Sequence, residues 1–335
     1  MKKYILFMVS AIVFAFTSCT SSEDIEINDI QKKYQVAFKI NPATVVEPFT
    51  YEFESGELQT FDNNYELRVR LLLYGQDGKL IDEDTQFFPN YKVTMTSNKK
   101  LQEGSYIAVV ISDLKKKTSS TETSFPNEYW SLSKDYSELT NLTIQDLNYV
   151  GAKNKILGIS YERFNVNSGD ANEIKINVKP AGAIIALRID YPHILDIKQL
   201  QLGTNKIVEK YIFNVDGSYS VIEDIQNDYA NQRLMVYDVD KYEGISCNHY
   251  FPGYYFVLPS KYNYKWLISN TEVDFKDLIE LHDEPMTLNM KAGEEWFLGI
   301  DLKNRVYYEP ENVSNRTNTR SISNETENNN VRVNF

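Results

Sequence analysis

Leu67-Arg68-Val69-Arg70-Leu71-Leu72-Leu73-Tyr74 runs into Gly75-Gln76-Asp77-Gly78-Lys79. Over the first five residues apolar and arginine side chains alternate. A strand has a side-chain period of two, so leucine and valine fall on one face and the arginines on the other. Gln76-Asp77-Gly78-Lys79 then supplies a reversal, with glycine free to take the positive φ that tight turns need. The same strand-and-turn grammar recurs on both sides of this stretch.

Tyr34–Ile40, Glu66–Tyr74, Tyr91–Thr96, Ser105–Asp113, Ile156–Phe164, Glu173–Val178 and Ala183–Tyr191 read as strands. So do Tyr211–Val215, Ser218–Ile222, Arg233–Tyr237, Tyr254–Leu258, Lys261–Ser269, Pro285–Met290 and Glu295–Leu302. The 24 Tyr and 17 Phe sit in these runs with Val and Ile, which suits a pleated, half-buried surface. Gln102-Glu103-Gly104, Asp216-Gly217 and Ala292-Gly293 punctuate them, and Asp216-Gly217 predicts a two-residue hairpin. Short helices fit only at Ser137–Leu142 and Asp274–Leu281. Short strands at regular spacing predict an all-β chain of β-sandwiches.

A boundary is expected between Leu114 and Ile174, dividing an N-terminal sandwich over residues 34–150 from a C-terminal one over 151–309. Lys115–Asn127 reads as a charged, Ser/Thr-rich loop, with Lys115-Lys116-Lys117 at a solvated tip. Pro180-Ala181-Gly182 reads as a bulge or turn inside the second sandwich. Residues 310–335 are rich in Asn, Ser, Thr and Glu and read as a disordered tail, although Val331-Arg332-Val333-Asn334-Phe335 alternates as a strand would.

Residues 1–18 have the form of a secretory signal: Lys2 and Lys3, then an apolar run from Tyr4 to Phe16, then Thr17 and Ser18. The run is short for a hydrocarbon core of about 30 Å. Phe16-Thr17-Ser18-Cys19 resembles the lipobox of bacterial lipoproteins, whose cysteine is diacylated and becomes the first mature residue. The resemblance implies lipidation at Cys19 and a membrane partner held through two acyl chains. An ordinary cleaved signal with an incidental cysteine is the alternative, and Phe16 stands where the lipobox usually has leucine. Residues 19–33 form the tether. Its Thr20-Ser21-Ser22-Glu23-Asp24-Ile25-Glu26 resembles the export signal that places lipoproteins on the outer face of the outer membrane.

Net charge of −12 argues against nucleic acid, which needs a basic stripe. With Cys19 lipidated only Cys247 is left, so no intrachain disulfide forms, and no Cys-His motif makes Cys247 a nucleophile. His193, His249 and His282 lack zinc-site spacing, and no glycine-rich loop or Gly-x-Ser-x-Gly elbow is present. Asp238–Gly244 starts like a calcium loop, but Tyr242 takes the third ligand position and His249 the twelfth. Asp82-Glu83-Asp84 reads as a solvated loop. No cofactor, metal or catalytic site is expected. Tyr262, Tyr264 and Trp266 share one strand face and form either core or a platform for a glycan; the polar Lys261, Asn263 and Lys265 opposite them favour core.

Leu67–Leu80, Leu101-Gln102-Glu103-Gly104-Ser105-Tyr106-Ile107-Ala108-Val109-Val110, Ile156-Leu157-Gly158-Ile159-Ser160 and Val178–Ile185 together resemble the fimbrillin family. Its members are pilus subunits and pilus-anchoring lipoproteins of anaerobic Gram-negative bacteria. The resemblance implies two tandem transthyretin-like β-sandwiches and assembly with other pilus or surface proteins by strand addition. Shaft subunits of that family are cut after an arginine near the first strand. No arginine lies between Cys19 and Leu67, which favours an uncleaved anchor, tip or accessory lipoprotein of structural or adhesive role over a shaft subunit. The competing expectation is a carbohydrate-binding surface lipoprotein serving glycan uptake.

Overall fold

A computed structural model describes residues 32–42, 63–90, 93–121, 123, 126–147, 155–168, 172–191, 197–214, 219–225, 233–238, 249–269, 279–312 and 332–334. Strands β1 (Lys33–Asn41), β2 (Tyr65–Gly75), β3 (Leu80–Phe88), β4 (Met95–Gln102) and β5 (Gly104–Lys116) come first. A covering segment then carries β6 (Trp130–Leu132), a 3-10 turn (Leu139–Asn141) and β7 (Thr143–Asp146). It leads to β8 (Leu157–Val166), β9 (Asn172–Asn177) and β10 (Lys179–Pro180). Next are β11 (Ala183–Asp190), β12 (Gln199–Thr204), β13 (Lys206–Phe213), β14 (Tyr219–Ile225), β15 (Arg233–Asp238), β16 (His249–Val257) and β17 (Ser260–Ser269). The last are β18 (Ile279–Glu280), β19 (Met286–Met290), β20 (Glu295–Asp301), β21 (Val306–Tyr308), β22 (Glu311–Asn312) and β23 (Arg332–Asn334). The protein is all-β, and no α-helix occurs among the described residues.

The first unit is a sandwich. Sheet β4-β1-β9 faces sheet β10-β8-β5-β2-β3. Val36, Phe38 and Ile40 point inward from β1, and Phe38 meets Phe164 of β8 edge-on at 5.4 Å. The second unit pairs sheet β16-β11-β20 with sheet β15-β12-β17, and here β11 is buried along its whole length.

The two units share one wiring. β1 is flanked by β4 (antiparallel) and β9 (parallel), and β11 by β16 (antiparallel) and β20 (parallel). β2 pairs β3 and β5, as β12 pairs β15 and β17; β5 pairs β8, as β17 pairs β19. Each unit also carries an excursion, β6–β7 in the first and β13–β14 in the second. The two excursions zip together through β7 and β13 into the sheet β14-β13-β7-β6.

Several expectations change. β8 and β9 lie beyond residue 150 yet complete the first unit's sheets, because β8 pairs β5 and β9 pairs β1; the wiring changes over at 178–182. Pro180-Ala181-Gly182 is therefore the crossing between units, not a bulge within the second. Pro180 pairs Gly158, and a Cβ on Gly182 would stand 2.3 Å from Phe256 Cζ, so only glycine fits. Lys115 and Lys116 pair with Glu66 and Tyr65 as strand, not loop. Asp82-Glu83-Asp84 lies in edge strand β3, where every second side chain reaches water. Ser137–Leu142 forms only the short 3-10 turn. Of Asp274–Leu281, Ile279 and Glu280 are strand, and residues 274–278 lie outside the described residues. β13 and β14 pair antiparallel, with Phe213 opposite Tyr219; residues 215–218, which hold the expected Asp216-Gly217 turn, lie outside the described residues. Within the tail read as disordered, Glu311–Asn312 and Arg332–Asn334 are strands.

Candidate strand-addition edge

β20 leads into β21 through a turn closed by Asp301, whose Oδ1 accepts the Asn304 N–H at 2.9 Å and whose Oδ2 accepts from Asn304 Nδ2 at 2.7 Å. Arg305, in the left-handed region at φ 51°, completes the reversal. β21 then pairs back on β20, with Tyr307 opposite Ile300 and Val306 opposite Asp301.

Two anchors hold β21 in place. Tyr308 lies over Gly299, where a Cβ would stand 2.3 Å from Tyr308 Cδ2. Its hydroxyl donates to Asp190 Oδ2, and Asp190 Oδ1 accepts from Arg188 Nε at 2.6 Å. The Arg188 guanidinium sits 5.8 Å from the Tyr308 ring centre. Burial, reinforced by Asp190, pushes the Tyr308 hydroxyl well above the usual phenol range, so it stays a donor. On the other side Tyr307 packs against His282 with ring centres 4.9 Å apart. His282 Nε2 accepts the Trp266 backbone N–H at 3.0 Å, which fixes the neutral tautomer whose Nδ1–H donates to Glu284 O. Desolvation lowers the His282 pKa, consistent with that neutral state.

The outer edge of β21 takes β23. Val306 pairs Asn334, Tyr307 pairs Val333 and Tyr308 pairs Arg332, all antiparallel. A segment some two dozen residues further along the chain thus joins the sheet through main-chain pairing, on a strand three residues long.

The sequence-derived site residues fall as follows. Cys19 lies outside the described residues, as do Cys247, His193 and residues 239–248 of the calcium-like loop. Tyr262, Tyr264 and Trp266 are 4%, 1% and 0% exposed. A ring without an open face cannot stack on a sugar, so the glycan platform is replaced by core: Leu288 pairs opposite Tyr262, Met286 and Thr204 opposite Tyr264, and Leu202 opposite Trp266. Sequence reading misses Asp190 and Arg188; both sit in an apolar strand, and only the intrusion of charge there could flag them. Among the described residues no group of three or more His, Cys, Asp or Glu side chains could hold a metal ion. No helix among them is long and apolar enough to cross a membrane.

No family model matches the chain, and no curated protein matches it. Solved structures similar to it include a candidate adhesin from Bacteroides ovatus at 12% identity and TM-score 0.44, covering 80% of this chain and 89% of that one. Another is the tip fimbrial protein Mfa3 from Porphyromonas gingivalis with C-terminal truncation, at 10% identity and TM-score 0.42, covering 83% and 98%. A third is a fimbrial assembly protein from Parabacteroides distasonis, at 10% identity and TM-score 0.36, covering 84% and 96%. Likeness at these levels assigns no function.

Proposed function

We propose that this chain is a surface lipoprotein, anchored in the outer membrane through acyl chains on Cys19, with a structural or adhesive role exercised by strand addition rather than by turnover of a substrate. The observation that carries the reading is the pairing of β23 on β21. A rigidly held edge strand accepts a short, sequence-distant segment through backbone hydrogen bonds, and a segment from a partner surface protein can pair in the same way. The lipobox-like Phe16–Cys19 and the absence of an arginine before Leu67 support an uncleaved anchor, tip or accessory component. Deleting residues 310–335 tests the edge. Association with surface partners in pull-downs changes if β21 is where strands are exchanged, and unchanged association removes it from the mechanism. Hydrolysis of a glycan or peptide panel by the purified protein would overturn the non-enzymatic reading. For the anchor, Cys19→Ser abolishes incorporation of labelled palmitate; a retained label would place the acyl group elsewhere.

A further inference from the structure

The outward face of sheet β4-β1-β9 carries charge opposite to the rest of the molecule. β1 alternates, with Val36, Phe38 and Ile40 inward and Lys33, Gln35, Ala37 and Lys39 outward. The registers extend that outward row across the sheet. Lys100 lies opposite Gln35, Asn98 opposite Ala37 and Thr96 opposite Lys39 on β4; Glu173 lies beside Ala37 and Lys175 beside Lys39 on β9. Lys33, Lys39, Lys100 and Lys175 are all exposed, and the one acid of this face among the described residues, Glu173, is engaged by Lys39 at 2.8 Å and Lys175 at 3.3 Å. Four lysines against one carboxylate make this face net positive on a chain of net charge −12. In the second unit the equivalent central strand, β11, is instead buried along its whole length.

Strand geometry confines the patch to about 20 by 10 Å, so neighbouring lysines lie within roughly one or two Debye lengths of each other and attract an anionic plane jointly. Its central strand is also the first described strand after the tether. Cys19 to Lys33 is 14 residues, a reach of at most about 50 Å. We infer that the outer face of sheet β4-β1-β9 docks on the phosphate-bearing lipid surface in which the chain's own anchor sits. The inference rests on the anchored reading above. Anionic lipid headgroups complement the lysines, the polar Gln35, Thr96 and Asn98 tolerate a wet contact, and the tether keeps that surface within reach. The acidic remainder of the molecule is repelled by the same surface, so docking also sets which side faces away from the membrane.

The experiment uses the chain from Thr20 to Phe335, which keeps every described residue and carries no acyl group. Its sedimentation with vesicles of phosphatidylcholine mixed with phosphatidylglycerol is compared with that on phosphatidylcholine alone, at about 0.1 M and about 1 M salt. Binding is expected only to the anionic vesicles and only at the lower salt. Lys33→Gln, Lys100→Gln and Lys175→Gln together should weaken it on the order of a hundredfold, at about fivefold per lysine. Lys79→Gln, Lys261→Gln and Lys291→Gln, three exposed lysines elsewhere, remove the same charge and should leave binding nearly unchanged. No binding to anionic vesicles, equal binding to neutral ones, or equal loss in both triple variants overturns the inference. Binding to dextran sulfate beads without binding to vesicles overturns it too, in favour of an anionic polymer. Because no arm uses Cys19, failure here is distinct from failure of the palmitate label.

Discussion

Asp113 stands opposite Arg68 in the β2–β5 register and accepts from Arg68 Nε at 2.9 Å; Arg70 Nη2 reaches the same carboxylate at 3.4 Å. Asp113 has no exposure, and Glu128 adds a second acceptor to Arg68 at 2.9 Å from a half-open position. Removing the shared carboxylate strips Arg70 of its counterion and leaves Arg68 with only the half-open Glu128. Asp113→Ala is therefore expected to cost about 3–5 kcal/mol in denaturant unfolding, whereas Glu128→Ala at the rim costs about 1 kcal/mol or less. A second residue-scale expectation concerns pH. Burial pushes the Glu295 carboxyl up to about 7 from its ordinary 4.5. The folded state then binds its proton more tightly than the unfolded state, so Glu295 destabilises progressively as pH rises from 4.5 to 7 and fully above it. Glu295→Gln should match the parent near pH 4 and exceed it by about 1–2 kcal/mol near pH 8. His282 acts in the opposite direction: its lowered pKa favours the neutral form in the fold, so its contribution is present above pH 6.5 and fades as pH falls below. Lys265, Glu280 and Asp283 are the charges that bear on it, the lysine lowering its pKa and the two acids raising it.

At the scale of the element, β21 is a short strand whose position depends on what lies beneath it. Gly299→Ala should drive the Tyr308 ring off its seat and cost about 1–3 kcal/mol, as overpacking does. Amide exchange at Val306–Tyr308 should quicken more than at β11. Tyr308→Phe keeps the ring and loses the hydroxyl's bond to the Asp190 carboxylate, so it should cost about 1.5–3 kcal/mol. The legible elements are those with a buried face and unbroken alternation: β1, β2, β5, β8 and β17 all announce themselves in sequence. β3 does not, because Asp82-Glu83-Asp84 looks like loop when the strand is an edge with half its side chains in water. The sequence puts β4 too early, over Tyr91–Thr96, since Ser97-Asn98-Lys99-Lys100 carries no apolar alternation and is strand only because β1 pairs with it. β7 is short and escapes sequence reading for the same reason, whereas β12 does alternate over Gln199-Leu200-Gln201-Leu202 and is missed only for its brevity. As for the candidate site, the alternation at Val331–Phe335 hints at pairing, but the sequence holds no sign that β21 is its seat.

The whole molecule is two copies of one seven-strand wiring, joined by a sheet to which each contributes its excursion. That repetition leaves no trace in the residues, because wiring is specified by which edges meet and many sequences satisfy the same meeting. The junction is reinforced where Trp130 packs edge-on against Phe256 at 5.7 Å and donates from Nε1 to Ile156 O at 2.9 Å. The intact chain should accordingly unfold as a single cooperative unit. Trp130→Ala, at about 3–5 kcal/mol, should uncouple the halves and split the calorimetric transition in two. One transition in the variant would mean that β7–β13 pairing suffices without the tryptophan.

β1 sits in the middle of its sheet, held by β4 at eight register positions and by β9 at six. A tension applied at its leading end acts along the strand, so these hydrogen bonds are loaded side by side in shear and must fail together, instead of peeling one after another from an edge. If the chain is anchored ahead of β1, as proposed above, load enters where the pairing resists it together.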